Sequence, residues 1–331
     1  MEIKAADVAK LRQMTGAGMM DCKKALVEAN GDYERAKEII REKGKLVAAK
    51  RADRETSEGA VIAKVAEGKA IVVGLGCETD FVAKNAEFQA LAEAIAETAI
   101  ANFPADKDAL MACVLADGRT VEAAVTEQTG KTGEKHVIVG YGTVEAPYIS
   151  AYMHKITGKL AAVVGFNKAF DEQVAKGVAM QVASMNPVAV SAESVPQSVI
   201  DTELKTAEQK TKEELVQKAV DAALNKAGIN PAHVDSEAHI ESNTAKGWIT
   251  PEQAEQAREI IKTVSAEKAA NLPEQMVANI AKGRLQKFFK EQTLEEQGYQ
   301  MGDGKTAVKD VVKAADAEAK IVTFKRLSLA D

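Results

Sequence analysis

Leu75-Gly-Cys-Glu-Thr-Asp-Phe-Val-Ala-Lys84 follows an apolar run, Ala70 to Val73, and precedes a helical pattern that begins near Asn85. The run reads as a buried strand, so Asp80-Phe81 falls at a strand-to-helix junction. Junctions of this kind lie on the surface and often carry function. Burying a Phe side chain gains roughly 1.5–3 kcal/mol. Phe81 therefore either folds back into its own core, as a staple under the hairpin, or is meant for another molecule's pocket. Asp80 is open in the same way: it caps a helix, or it acts on a partner.

Working outward, Val61 to Val65 and Ala70 to Val73 flank Glu67-Gly68, a hairpin signal. The pattern returns in Ile149 to Ile156, Thr157-Gly158 and Leu160 to Gly165. Gly68-Lys-Ala-Ile-Val-Val-Gly74 and Gly158-Lys-Leu-Ala-Ala-Val-Val-Gly165 are close in sequence, so the chain carries an internal repeat. Val137 to Val144 supplies a strand between the copies. Phe88, Leu91, Ile95 and Ala99 stripe a helix after the first hairpin; Val174, Val178, Met180 and Val182 line one after the second. The fold class is α+β, with two related halves, residues 55–145 and 146–331, each a small antiparallel sheet backed by helices.

Residues 1–54 read as a three-helix unit. Val8, Leu11 and Met14 mark a first helix, broken by Gly16-Ala-Gly18. Cys22, Ala25, Leu26 and Ala29 mark a second, ended by Asn30-Gly31, and Asp32 caps a third carrying Ala36, Ile39 and Ile40. At least one of Met19 and Met20 is expected in the core. The charged run from Lys45 to Glu58 passes from helix end to linker. A helical insertion is expected at about 205–272. Its stripe is Leu215, Ala219, Val220, Ala223, Leu224 and Ala227, broken at Gly228-Ile-Asn-Pro231. Thr250-Pro251-Glu252 restarts it with Thr250 as cap, through Ala257, Ile260, Ile261 and Val264. After Leu272-Pro273 the stripe resumes with Met276, Ile280 and Phe288. The insertion reads either as a seam joining two copies in a homodimer or as an arm for a partner. Its Ala-rich stripe lacks sustained Leu heptads. A short helix from Ala307 to Val312 and a β-rich run from Ile321 to Leu329 close the chain.

Composition removes several classes. The chain has 331 residues and a net charge of −6, which argues against direct nucleic-acid binding. Aromatic residues make up only 4%, so a helix-rich protein with thin cores is expected. No apolar run is long enough to span a membrane, and Met1-Glu-Ile-Lys4 does not open a signal peptide. Cys22, Cys77 and Cys113 read as free thiols in a reducing, cytoplasmic setting. Gly130-Lys131, Gly158-Lys159 and Gly304-Lys305 suggest phosphate loops, but Val125, Met153 and Tyr299 stand where the leading glycine belongs. His136, His154, His233 and His239 lack metal-ligand spacing and read as solvated. Cys22 reads as a small core residue, and Cys77 beside Glu78 has its pKa raised, so neither serves a thiol enzyme. No cofactor, metal site or catalytic residue is expected.

Two motifs together carry a resemblance. Thr15-Gly-Ala-Gly-Met-Met-Asp-Cys-Lys-Lys-Ala-Leu26 with Glu28-Ala-Asn-Gly-Asp32, and Cys77-Glu-Thr-Asp-Phe-Val-Ala-Lys84, are similar to the two signatures of the bacterial elongation factor Ts family. The likeness continues more weakly through Tyr152-Met-His154, Val178 to Ala183, Gly283 to Phe288 and Gly304-Lys-Thr306. The resemblance implies a ubiquitin-associated-like N-terminal domain, a two-part core and an inserted helical coiled-coil protrusion. It implies guanine-nucleotide exchange on elongation factor Tu, a translational GTPase, without covalent chemistry. It further implies that Thr79, Asp80, Phe81 and Val82 dislodge Mg²⁺ from that partner, and that Arg12, Met19, Met20 and His154 touch it. A helical scaffold that binds partners without exchanging nucleotide is the alternative class.

Overall fold

The computed structural model describes residues 3–330; Met1, Glu2 and Asp331, at the outer ends of the first and last expected segments, lie outside the described residues. The chain divides into two compact units, Met1–Val190 with Leu294–Asp331, and Ser191–Thr293.

The first unit opens with α1 (Ala5–Thr15), α2 (Met19–Glu28) and α3 (Tyr33–Lys50). Val8, Leu11, Ala17, Cys22, Ala25, Leu26, Ala29 and Ala36 form their core. The Asp32 carboxylate caps α3 by accepting the Arg35 N–H at 3.0 Å. Met14, Met19 and Met20 are exposed, against expectation. Ala17, in the turn between α1 and α2, is buried and fills that end of the core, so neither methionine at the start of α2 enters it.

Next come β1 (Glu58–Ala66), β2 (Lys69–Cys77), α4 (Asp80–Ala83), α5 (Ala86–Asn102), α6 (Lys107–Ala112), α7 (Val121–Thr132) and β3 (Val137–Glu145). The repeat follows as β4 (Tyr148–Met153), β5 (Leu160–Phe166) and α8 (Glu172–Met185), and the chain returns with α13 (Val308–Ala315) and β6 (Ile321–Ser328). The two antiparallel sheets have orders β1-β2-β3 and β4-β5-β6. Each is a hairpin whose second strand takes a third strand after a helical excursion. β4 ends at Met153, short of the expected Ile156, because His154 turns the chain: its carbonyl accepts the Gly158 N–H at 2.8 Å.

Alternation along β2 sets the layering. Ile71, Val73, Leu75 and Cys77 face one cluster with Phe88, Leu91, Ile95, Ala99, Val121 and Val125 of α5 and α7. Ala70 and Val72 face the other sheet, meeting Ala161 and Val163 of β5. Ala162, Val164 and Phe166 of β5 pack on Ala175, Val178, Ala179 and Val182 of α8. The order is helices, sheet, sheet, helices. The sheets approach closely because small residues line the seam. A Cβ on Gly140 would sit 2.4 Å from a Leu327 methyl.

The three-helix unit docks on this core through α3 against α7. Gly44 lies inside α3, where Gly44 and Gly130 cross backbone to backbone.

The second unit contains α9 (Gln197–Lys226), α10 (Glu237–Ala245), α11 (Pro251–Ala270) and α12 (Glu274–Gln292). The helical insertion expected at about 205–272 falls inside it. At its 30 residues, α9 is about 45 Å long. Return helices α11 and α12, broken at Leu272-Pro273, both pack along it. Val220, Leu224, Ile229, Val234, Ile240, Ile249, Ala254 and Ala257 form its core. Thr250 and Gln253 make a reciprocal capping box at the start of α11. The phase of α12 differs from expectation: Val277 and Ala281 are buried, while Met276 and Ile280 are exposed. The buried α9 residues Ala207 and Thr211 are also small, and a narrow seam favours short side chains. Trp248 is 62% exposed, with Lys246 Nζ 5.1 Å from its ring centre. Among the described residues, no helix is long and apolar enough to cross a membrane.

The Gly44/Gly130 crossing is asymmetric. A Cβ on Gly130 would lie 2.8 Å from the Gly44 Cα, whereas one on Gly44 would lie 3.6 Å from the Gly130 Cα. We expect Gly130→Ala to destabilise by about 1–3 kcal/mol through backbone overpacking. Gly44→Ala should be neutral or stabilising by up to about 1 kcal/mol, from helix propensity. Urea unfolding of both variants checks the contrast; equal effects would refute it.

Candidate functional site

The junction after β2 is a one-turn helix held from behind. Thr79, extended at φ −124° and ψ 153°, is its N-cap, and its Oγ1 accepts the Val82 N–H at 3.4 Å. Val82 is partly buried against the α5 cluster, and Ala83 lies within it. Successive helical residues turn by about 100°, so burying Val82 and Ala83 sends Asp80 and Phe81 to the other side. Phe81 is 84% exposed. This ring is neither a core residue nor a staple. Capping falls to Thr79; Asp80 in the first turn pairs instead with Lys84 at 2.7 Å. That bond to Lys84 holds the Asp80 carboxyl below its ordinary pKa, so it is an anion at neutral pH.

Two carboxylates tie the turn down. Glu134 accepts the Thr79 N–H at 3.0 Å and the Thr79 hydroxyl at 2.7 Å. Glu78 accepts Arg51 Nη1 with both oxygens, at 2.9 and 2.8 Å, and the Lys135 N–H at 2.6 Å. Desolvation pushes the Glu78 carboxyl up, but the Lys135 N–H and the Arg51 guanidinium together outweigh it and leave it below its ordinary value. The Lys135 ammonium donates to the Ala52 and Arg54 carbonyls at 2.6 and 2.9 Å. The chain just after α3 is thus clasped to the turn bearing Phe81. Behind the turn, burial pushes the Cys77 thiol up to about 12, with Glu134 and Glu58 adding to the shift. This sulfur is not a nucleophile at neutral pH.

Glu134 and Lys135 escape a sequence reading, and His136 is misread by one. A polar run before a strand looks solvated, and the only signal is its place at the end of α7. His136 is buried, not solvated as expected. Its Nδ1 donates to the Glu134 carbonyl at 2.9 Å, its ring lies 5.6 Å from that of Phe88, and its Nε2 is buried with no partner. With Nδ1 as donor, the neutral tautomer leaves a bare lone pair on Nε2.

The remaining sequence-selected residues lie on other elements. Arg12, at the end of α1, and Met19 and Met20, at the start of α2, are exposed on the three-helix unit. Met14 at 48% and Val27 at 57% exposure accompany them there. His154 follows the end of β4, half-buried, and its Nδ1 accepts the Thr157 N–H at 3.4 Å. The neutral imidazole therefore carries its proton on Nε2. Thr79, Asp80, Phe81 and Val82 share one turn, while the other four residues stand apart from it. Among the described residues, no group of three or more His, Cys, Asp or Glu side chains could hold a metal.

A family model described as "Elongation factor TS" matches residues 78–230 and 217–331. An "Elongation factor Ts" of Bacteroides fragilis is 56% identical over 329 residues, covering 99% of each chain. Those of Phocaeicola vulgatus and Porphyromonas gingivalis are 55% and 39% identical, again over 99% of each chain.

The buried imidazole gives a pH test. Desolvation lowers the His136 pKa, against the smaller opposing pull of the Glu134 carbonyl and the Glu134 and Glu78 charges. As pH falls below the ordinary value of about 6.5, the unfolded chain takes up this proton first, so native stability is lost. We expect melting temperature to fall further between about pH 7.5 and 5.5 in wild type than in His136→Asn, which keeps a donor near the Nδ1 position but does not titrate. Parallel melting curves across that range would exclude the imidazole as the cause.

Proposed function

This chain belongs to the elongation factor Ts family, and on that premise we propose that it binds elongation factor Tu·GDP and speeds GDP release by displacing the partner's Mg²⁺. The observation that carries this reading is the ring of Phe81, 84% exposed on a turn anchored on its other side. A large aromatic left in water forgoes roughly 1.5–3 kcal/mol of burial, which a partner's pocket can recover.

In a GTPase, Mg²⁺ bridges phosphate oxygens and protein side chains and holds the nucleotide. A partner that favours a distorted metal site releases both. Phe81 enters an apolar gap in elongation factor Tu and displaces the backbone beside the metal site. Asp80, an anion at the same edge, accepts hydrogen bonds from the backbone donors so displaced. Thr79 caps the turn and Val82 anchors it. Arg12, Met19 and Met20 meet the GTPase domain, where the flexible thioethers fit an irregular surface. His154 meets a second domain of the same partner. No bond is made or broken: the factor by which this chain weakens GDP binding equals the factor by which GDP weakens its own binding.

A buried aromatic anchor at an interface contributes about 2 kcal/mol or more when truncated. We therefore expect Phe81→Ala to slow stimulated release of a fluorescent GDP from elongation factor Tu about thirtyfold in stopped flow. Its own stability should change by less than about 0.5 kcal/mol, as for an exposed position. A wild-type release rate in this variant rejects the wedge.

A further inference from the structure

We propose that Glu134 is a positioning residue for exchange, acting on Phe81 through Thr79; the inference rests on the exchange reading above. The Phe81 ring is 84% exposed, so its placement depends on the backbone of the turn. That turn, α4, is four residues long, too short to be stable alone. Its cap depends on one hydroxyl. Thr79 Oγ1 donates to Glu134 Oε1 at 2.7 Å and accepts the Val82 N–H at 3.4 Å, while the Thr79 N–H goes to Glu134 Oε2 at 3.0 Å. One carboxylate thus points the capping lone pair at the helix and fixes the backbone just before Asp80.

The neighbouring residue repeats the device in reverse. The Lys135 N–H binds the Glu78 carboxylate at 2.6 Å. Residues 134 and 135 together hold residues 78 and 79, one through a side chain and the other through its backbone. Glu134 belongs to the stretch between α7 and β3, and so to a different part of the core from the ring it serves.

The test is a double-mutant cycle on stimulated GDP release at saturating factor, using elongation factor Tu loaded with fluorescent GDP. We expect Glu134→Ala to lower the maximal rate about tenfold with a smaller change in half-saturating concentration, since a misplaced group weakens the distorted state more than the initial complex. Glu134→Gln should retain part of the rate, because one amide oxygen replaces two acceptors. Thr79→Val, which removes the hydroxyl and keeps the shape, should resemble it, and both serve in the cycle if Glu134→Ala folds poorly. In a Phe81→Ala background, each of these changes should slow release less than twofold further. Equal fold-losses in both backgrounds, or full rates in Glu134→Ala and Glu134→Gln while Phe81→Ala is slow, overturn the positioning role and leave the exchange reading standing. A full rate in Phe81→Ala overturns both.

Discussion

Strand β2 is covered on both faces, and every residue from Ala70 to Cys77 is buried. Its odd-numbered side chains enter the α5 and α7 core, and Ala70 and Val72 enter the seam with the second sheet. A slip of one residue would exchange large and small side chains between two unlike environments. Its register is therefore strongly fixed, and its end is a fixed point of the molecule. The turn bearing Asp80 and Phe81 hangs from that point. On the exchange proposed above, a ring presented from a locked strand end loses less entropy on docking than one on a mobile loop would.

The charges around the turn are arranged with the same economy. Glu78 and Glu134 are both held by donors behind it, Arg51 and the Lys135 N–H for one, Thr79 for the other. The anionic group left at the exposed edge is Asp80, with Lys84 as its companion. The clasp from Arg51 to Glu78 and the crossing of Gly44 over Gly130 join the three-helix unit to this part of the core. The methionine face and the aromatic turn thus belong to one compact unit.

Much of this was legible in the amino-acid sequence because it follows from periodicity. The two hairpins, apart from the early end of β4 at Met153, the Asn85 junction, the caps at Asp32 and Thr250 and the α5 stripe sit where apolar spacing and capping chemistry put them. Misreadings arose where size, not polarity, decides. Met276 and Ile280 are more apolar than Ala281, yet Ala281 is buried in α12 and they are exposed. At least one of Met19 and Met20 was expected in the core, but both are exposed and Ala17 fills that end. For the site, the sequence left two fates open for Phe81, and burial of its neighbours Val82 and Ala83 decides between them. Glu134 and His136 were illegible: their partners Thr79 and Phe88 are 55 and 48 positions away, and no local pattern encodes such a pairing.

Trp248 is the chain's single tryptophan, and it stands in water on the second unit beside Lys246. Indole emission, excited to the red of the tyrosines, is therefore a built-in optical reporter confined to the helical unit. A ligand seated on that unit would change its colour or quenching. One that engages only the sheet-bearing unit would leave the indole signal dark to the event, so the protein distinguishes the two modes of contact without any attached dye.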